Sequence, residues 1–212
     1  VTDVASRKQD RITRRQVDKF DARRTELAVA TLHTLAELGY ARTSLREIAQ
    51  NSEFSHGVLH YYFADKRDLI TEAVRQYEVV CVTRYDEVVA TSATADQLRD
   101  EFVAMFFDTL GQDATLHRLW YDLRNQSLFD ESFRADVLEI DGHREDMVWR
   151  VVSRYAELVG GTVAVSPGMI YVTLDGIFQR ALLNHLAGNA DSVAQLRVEL
   201  PAAIGLMVST AE

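Results

Sequence analysis

Proline constrains this chain most, by its scarcity: Pro167 and Pro201 are the only two among 212 residues. A proline inside a helix removes a backbone donor and collides with the carbonyl four residues earlier. A chain almost free of it, with only ten glycines, is therefore open to helix nearly throughout. Few stretches alternate apolar and polar residues with period two, so an all-α fold of about nine helices is expected. With 47% hydrophobic residues the chain has the apolar material for one large domain or two small ones. Its single cysteine, Cys81, cannot close an internal disulfide or build a multi-cysteine zinc cluster. No run of about eighteen apolar residues occurs and the N-terminus has no signal-peptide core, so the expected location is the cytoplasm, with no membrane partner.

Charge is unevenly placed. The formal net charge is −9, yet residues 1–66 carry 11 Lys and Arg against 9 Asp and Glu, while residues 67–212 carry 12 against 23. The basic excess is densest from Arg7 to Arg24, through Lys8, Arg11, Arg14, Arg15, Lys19 and Arg23. Residues 1–17 lack apolar periodicity and are expected to be a mobile basic arm, suited to phosphates or a minor groove, or simply solvated.

From Asp18 a helical rhythm begins. Leu27, Ala30, Thr31, Leu35 and Leu38 recur at three- and four-residue steps, and Gly39 is placed to stop the helix. Ser44 to Glu47 form a capping box that opens a short second helix with Ile48 and Ala49 on its buried face. Asn51, Ser52 and Glu53 read as a turn, Ser55 caps a third helix to about Phe63, and Asp65 caps a fourth. Two short helices joined by such a turn form a helix-turn-helix unit, which needs the flanking helices as its base. Longer helices are expected at 66–90, 95–110, 114–127, 131–159, 167–187 and 192–208. Their stops are Gly111, Gly160-Gly161 and Gly188-Asn189, with a clear start at Ser166-Pro167 and a kink at Pro201.

The run Leu38-Gly39-Tyr40-Ala41-Arg42-Thr43-Ser44, then Ile48-Ala49, then Ser55-His56-Gly57-Val58-Leu59-His60-Tyr61-Tyr62-Phe63-Ala64-Asp65-Lys66, resembles the N-terminal domain of the tetracycline-repressor-like (TetR) family of transcription regulators. The resemblance covers roughly residues 20–75. It implies a homodimeric all-α repressor, with a DNA-binding domain at residues 18–65 and a domain for effector binding and dimerisation at 66–212. Such a protein is released from a palindromic double-stranded DNA operator by a small molecule of unknown identity. Carried over by motif position, Arg46, His56, Gly57 and Val58 would face base edges, Arg46 suiting guanine through its fork. Thr43, Ser44, Ser55, His60, Tyr61, Tyr62 and Lys66 would hold the DNA backbone, Lys66 at a helix start that favours phosphate. This chain departs from the family in Glu53, where a turn glycine is usual, in Phe54 and in His60. Glu53 in a positive-φ turn would cost stability.

Other chemistry is poorly supported. His56 and His60 have metal-ligand spacing, and His143, Glu145 and Asp146 cluster, but neither group has a convincing further ligand, so no metal or cofactor is expected. No nucleophile elbow, phosphate-binding glycine loop or His-Glu-x-x-His occurs, and Cys81 lies in an amphipathic helix without a nearby histidine. No catalytic residue and no enzyme activity are expected.

In the larger part, Phe102, Met105, Phe106, Trp120, Tyr121, Arg124, Trp149, Tyr171 and Phe178 are candidate effector residues, where bulk beside a polar handle suits a ligand pocket. Arg124 points to an acidic or carbonyl-bearing ligand, although a surface salt bridge is the commoner fate of such an arginine. The helix at 167–187 is apolar on more than one face. With Val193, Leu196, Leu200, Ile204 and Met207 in the last helix, it suits a four-helix homodimer interface, anchored by Phe178 and Leu182. The alternative is a helical scaffold or small-molecule-binding protein whose helix-turn-helix no longer reads DNA, a reading favoured by Glu53 and the negative charge.

Overall fold

The computed structural model describes the backbone of residues 2–40 and 43–210, and side chains within 17–40 and 43–210. Among these residues the chain forms α1 (Thr2–Leu38), α2 (Leu45–Gln50), α3 (His56–Tyr62), α4 (Lys66–Cys81), α5 (Asp86–Thr91), α6 (Ala95–Gln112) and α7 (Ala114–Gln126). A single 3-10 turn at Glu131–Phe133 leads into α8 (Arg134–Leu158). β1 (Gly161–Val163), α9 (Pro167–Leu186), α10 (Ala190–Leu206) and β2 (Val208–Thr210) complete it. The all-α expectation is met apart from one antiparallel strand pair, Gly161 opposite Thr210 and Val163 opposite Val208. No described helix is long and apolar enough to cross a membrane.

Local chemistry sets most boundaries. The hydroxyls of Ser44, Ser55, Thr94 and Ser166 each accept a hydrogen bond from the backbone N–H three residues on, at 3.2–3.3 Å, capping α2, α3, α6 and α9. Pro167 occupies the first turn of α9, where its missing donor costs nothing. Gly39, Gly160 and Gly188 take positive φ of 74°, 69° and 72° as helix stops. Gly111 does not stop α6, which runs on to Gln112. Pro201 sits inside α10 and leaves the Arg197 carbonyl without its helical donor.

Three expectations change. The helix begins at Thr2, through the stretch read as a mobile arm. That stretch contains neither glycine nor proline, so nothing in it breaks a helix already seeded by the α1 core. The helix expected over 66–90 is interrupted between α4 and α5. There Val79, Val80, Val82 and Thr83 crowd β-branched side chains together, and the Thr83 hydroxyl donates to the carbonyls of Val79 and Val80 at 3.2 and 3.3 Å. Finally, no described non-glycine residue has positive φ, so Glu53 is exposed without backbone strain.

The chain divides into two compact units, residues 1–77 and 78–212, so the division lies within α4 and not at its start. In the first unit Leu27, Thr31 and Leu35 of α1, Leu45 and Ile48 of α2, Leu59, Phe63, Leu69 and Ile70 are buried. Ala28 is buried where Ala30 was expected, and Ala30 is exposed. Arg24 donates to Asp68, to Glu72 and to the Tyr62 carbonyl, which fastens α1 to the end of α3 and the first turns of α4. It is a brace of the fold and not part of a free basic arm. In the second unit the core is built from Leu98, Phe102 and Leu110 of α6, Leu119, Trp120 and Leu123 of α7, and Val137, Ile140 and Val151 of α8. Ile170, Leu174 and Ala181 of α9 join them, with Leu196, Leu200 and Ile204 of α10.

The expected interface is corrected at Phe178 and Leu182 of α9, at Leu196, Leu200 and Ile204 of α10, and at Met207 just after it: all are buried within the body itself. The apolar residues that α9 leaves exposed are Met169, Val172, Leu183 and Leu186, and on α10 they are Val198 and Leu206.

Candidate functional site

In the first unit, α2 and α3 are pinned by their buried residues and their caps, and what faces outward is chemically distinctive. Arg46, His56, Gly57, Val58, His60 and Tyr61 are all exposed, Tyr61 to 71%. Ser44, Arg46, His56, His60, Asp65 and Lys66 share one shallow concavity, which gathers two cationic side chains and two imidazoles along α2, α3 and the start of α4. The His56 and His60 rings meet edge to face at 4.3 Å. Phe20 of α1 packs on Tyr62 at 4.8 Å and on Tyr61 at 6.0 Å, which props α3 from behind. Lys66 donates to the Tyr40 carbonyl at 3.1 Å, with its ammonium 4.1 Å from the Tyr40 ring centre. A Cβ added at Gly57 would meet nothing in the protein, so no internal contact demands glycine there.

Thr43 fits its expected part least. It is buried and its hydroxyl donates to the Gly39 carbonyl, so it closes the turn between α1 and α2 and is not presented to solvent. Tyr62 is half-buried against Phe20. The side chains of Arg7, Lys8, Arg11, Arg14 and Arg15 lie outside the described residues.

The second unit holds a cavity of about 60 Å³. Aromatic walls come from Phe106 of α6, Tyr121 of α7, and Tyr171 and Phe178 of α9, with Phe106 and Phe178 ring centres 5.1 Å apart. Its polar lining includes Arg84, His117, Arg144 and Asp175. Arg144, on α8, donates from Nε and Nη2 to the Glu78 carboxylate at 3.0 and 2.9 Å, an ion pair that is buried on both sides. Its guanidinium stacks 4.3 Å from the Trp120 ring centre. Arg84 reaches Asp113 at 2.6 Å. Asp175 accepts from the Tyr121 hydroxyl at 2.8 Å and from Arg124 at 2.5 Å; Arg124 also approaches Asp141, which accepts from the Tyr171 hydroxyl.

Burial sets the proton chemistry. His117 is held neutral, its pKa lowered to about 3 by desolvation and then by the charges of Arg144 and Arg84. Desolvation, followed by the Asp175 charge, pushes the Tyr121 and Tyr171 hydroxyls well above the ordinary tyrosine range. Desolvation likewise pushes the Cys81 thiol up, which disfavours the reactive thiolate.

Of the nine candidate effector residues, Phe106, Tyr121, Tyr171 and Phe178 line this cavity. Phe102 and Trp120 are buried core, Met105 and Trp149 are half-buried outside the lining, and Arg124 stands outside it, taken up by two carboxylates. Sequence reasoning missed Arg84, His117, Arg144 and Asp175. A signal was present for Arg144: it occupies a core position in the α8 stripe of Val137, Ile140, Val148 and Val151, where a charge needs a partner. Glu78 likewise follows Ile70 and Val74 on the buried face of α4.

Comparison with known proteins finds a family likeness within the first unit. Residues 27–73 match the family model of the bacterial regulatory proteins of the tetR family. The transcriptional regulator BetI of Burkholderia lata is 30% identical over 117 residues, which are 54% of this chain and 60% of that protein. The chain thus spans about three-fifths of the length of the BetI relatives it matches. Among solved structures, a transcriptional regulator of Saccharomonospora viridis in complex with choline superposes with a TM-score of 0.72 at 17% identity, covering 90% of this chain and 100% of that one. FadR of Bacillus subtilis in complex with stearoyl-CoA gives a TM-score of 0.65 at 18% identity, covering 88% and 98%. At these identities the structural likeness is one of fold.

Proposed function

We propose that this chain, whose N-terminal domain belongs to the TetR family of bacterial regulatory proteins, is a homodimeric cytoplasmic repressor that leaves its operator when a small molecule fills the cavity of the second unit. It has no catalytic role in this reading. The DNA-reading half rests chiefly on the surface of α2 and α3. Arg46, His56, Val58 and Tyr61 are exposed on helices held to the unit by Leu45, Ile48 and Leu59, beside a glycine that nothing inside the protein requires. A major groove meets those needs: Arg46 can bond guanine O6 and N7 together, the missing side chain at Gly57 lets a base edge come close, and Lys66 and Tyr61 suit phosphates.

The effector half is supported by the cavity, whose lining sets charged side chains among aromatic ones, and by the two ligand-bound fold neighbours, whose choline and stearoyl-CoA differ greatly in size. Release is energetically modest. A hundredfold loss of operator affinity requires a ligand preference of about 2.7 kcal/mol for the DNA-incompetent state. The covalent route is α4, which begins in the first unit and carries Glu78, the partner of cavity-lining Arg144, in the second.

The test is a gel shift with the DNA upstream of the chain's own gene. Arg46→Ala should cost about 1–3 kcal/mol on the operator and little on unrelated DNA. Lys66→Ala should weaken binding to every sequence and reduce the salt dependence by about one ion. Its melting temperature is measured alongside, because Lys66 also holds the Tyr40 carbonyl. Operator binding unchanged in both variants would overturn the assignment. A protein that folds and shifts no DNA would instead support the helical scaffold reading.

A further inference from the structure

Two imidazoles stand side by side on the surface read as facing DNA. His56 and His60 lie one turn apart on α3, both exposed, with ring centres 4.3 Å apart and planes nearly perpendicular. They share their concavity with Arg46 of α2 and with Asp65 and Lys66, where α4 begins. Lys66 is fixed there by its 3.1 Å bond to the Tyr40 carbonyl. Asp65 is already engaged: it accepts from the Asp68 N–H at 2.9 Å and lies 3.5 Å from Arg67. The other charges around α3 are directed elsewhere. On α1, Arg23 pairs with Glu26, and Arg24 with Asp68 and Glu72. Tyr61 and Tyr62 lie against Phe20, while Glu47 of α2 and Glu53 of the turn are exposed outside the concavity.

Imidazole is the side chain whose ordinary proton exchange falls near neutral pH, where arginine, lysine and carboxylate groups ordinarily keep their charges. In the free protein, a proton added to either ring places a third positive charge beside Arg46 and Lys66, and a proton on both rings sets two cations in contact. DNA reverses that balance. Phosphate oxygens and the O6 and N7 atoms of guanine only accept hydrogen bonds, and the phosphates are negative. A neutral imidazole offers them one donor, whereas the protonated ring offers two donors and a charge. The complex therefore favours the protonated rings that the free surface opposes, and a proton held more tightly in one state is taken up on passing to it.

We propose that operator binding takes up protons from solvent at the His56–His60 pair, so that acidification tightens the grip of the repressor on DNA and alkalinisation loosens it. This inference rests on the reading of α2 and α3 as the operator surface. It gives that surface a second input, separate from the effector.

The test is fluorescence anisotropy of the full chain with a labelled duplex taken from upstream of its own gene, at constant ionic strength between pH 6 and pH 8. Wild-type affinity should fall at least about tenfold across that range, the effect of a single linked proton over one pH unit. His56→Gln with His60→Gln should reduce the fall to less than about twofold. His33→Gln should keep it, since this third histidine of the first unit is paired with Glu37 on α1 at 3.8 Å. Circular dichroism at each pH separates loss of binding from loss of folding. Calorimetry at pH 7 in phosphate and in Tris, buffers that differ in their heats of ionisation, should show net proton uptake by the wild type and none by the double variant. Should the double variant fail to fold, each single change should remove part of the fall. The proposal is overturned by an affinity that does not change with pH, by one that rises with pH, or by a fall that the substituted proteins keep in full. Any of these outcomes with the duplex still bound leaves the repressor reading standing, whereas a folded protein that binds the duplex at no pH overturns both.

Discussion

His117 is buried beside two arginines and stacks on Phe178 at 4.5 Å, so the fold can hold it only as the neutral ring. Its folded pKa, about 3, lies below the ordinary value near 6.5. The unfolded chain therefore binds the extra proton between those two pH values, and stability rises with pH through that window and is lost as pH falls through it. At its steepest the contribution is about 1.4 kcal/mol per pH unit. Denaturant melts at pH 7, 6, 5 and 4 should show the wild type declining more steeply than His117→Leu below pH 6.5. Parallel declines would mean that another group carries the acid sensitivity. The same residue shows why only part of the site was legible in advance. Aromatic bulk announces itself at any position, which is how Phe106, Tyr121, Tyr171 and Phe178 were found. His117 and Arg144 owe their character to burial and to groups far along the chain, Glu78 and Arg144 being 66 residues apart; the apolar stripes mark both positions as core but do not say that the two pair with each other.

The helix ends at Ser44, Ser55, Thr94, Ser166, Gly39, Gly160 and Gly188 are legible because their chemistry is local: a hydroxyl and an N–H three residues away, or a glycine just past the last turn, is written within four or five positions. The break between α4 and α5 was harder, since it arises from a balance between apolar periodicity, which continues, and β-branched crowding, which opposes it. Two glycines at the element scale make opposite predictions. Gly39 has a φ of 74°, so Gly39→Ala should cost about 1 kcal/mol or more in thermal or denaturant unfolding. Gly57 lies within α3 with open space about it, so Gly57→Ala should leave stability equal or raise it by up to about 1 kcal/mol. Operator affinity should behave the other way, unaffected by the first change beyond its cost in folding and reduced by the second. A Gly57→Ala protein that binds operator like the wild type would remove the close-approach argument for α3.

At the scale of the whole molecule, homodimerisation through α9 and α10 is a proposal resting on Val172, Leu183, Leu186, Val198 and Leu206, all exposed apolar residues on the last two helices. Each large side chain fully buried against a partner contributes about 1.5–3 kcal/mol. Leu183→Glu with Leu186→Glu should give a folded monomer by sedimentation equilibrium, with weaker operator binding. Phe178→Glu should instead unfold the body, since that side chain is buried in its own chain. A double-glutamate variant that remains dimeric would place the interface elsewhere.

The strand pair bears on how two such copies can meet. β1 enters α9 and β2 follows α10, and their register brings Gly161 against Thr210 so closely that a Cβ on Gly161 would lie 2.5 Å from the Ser209 carbonyl oxygen. The α9–α10 hairpin is thereby returned to its starting point and fastened there. To exchange that hairpin with a second molecule, a protomer would first have to unfasten three residue pairs in its own chain and rebuild them across the other. The pair thus opposes exchange of the hairpin between copies.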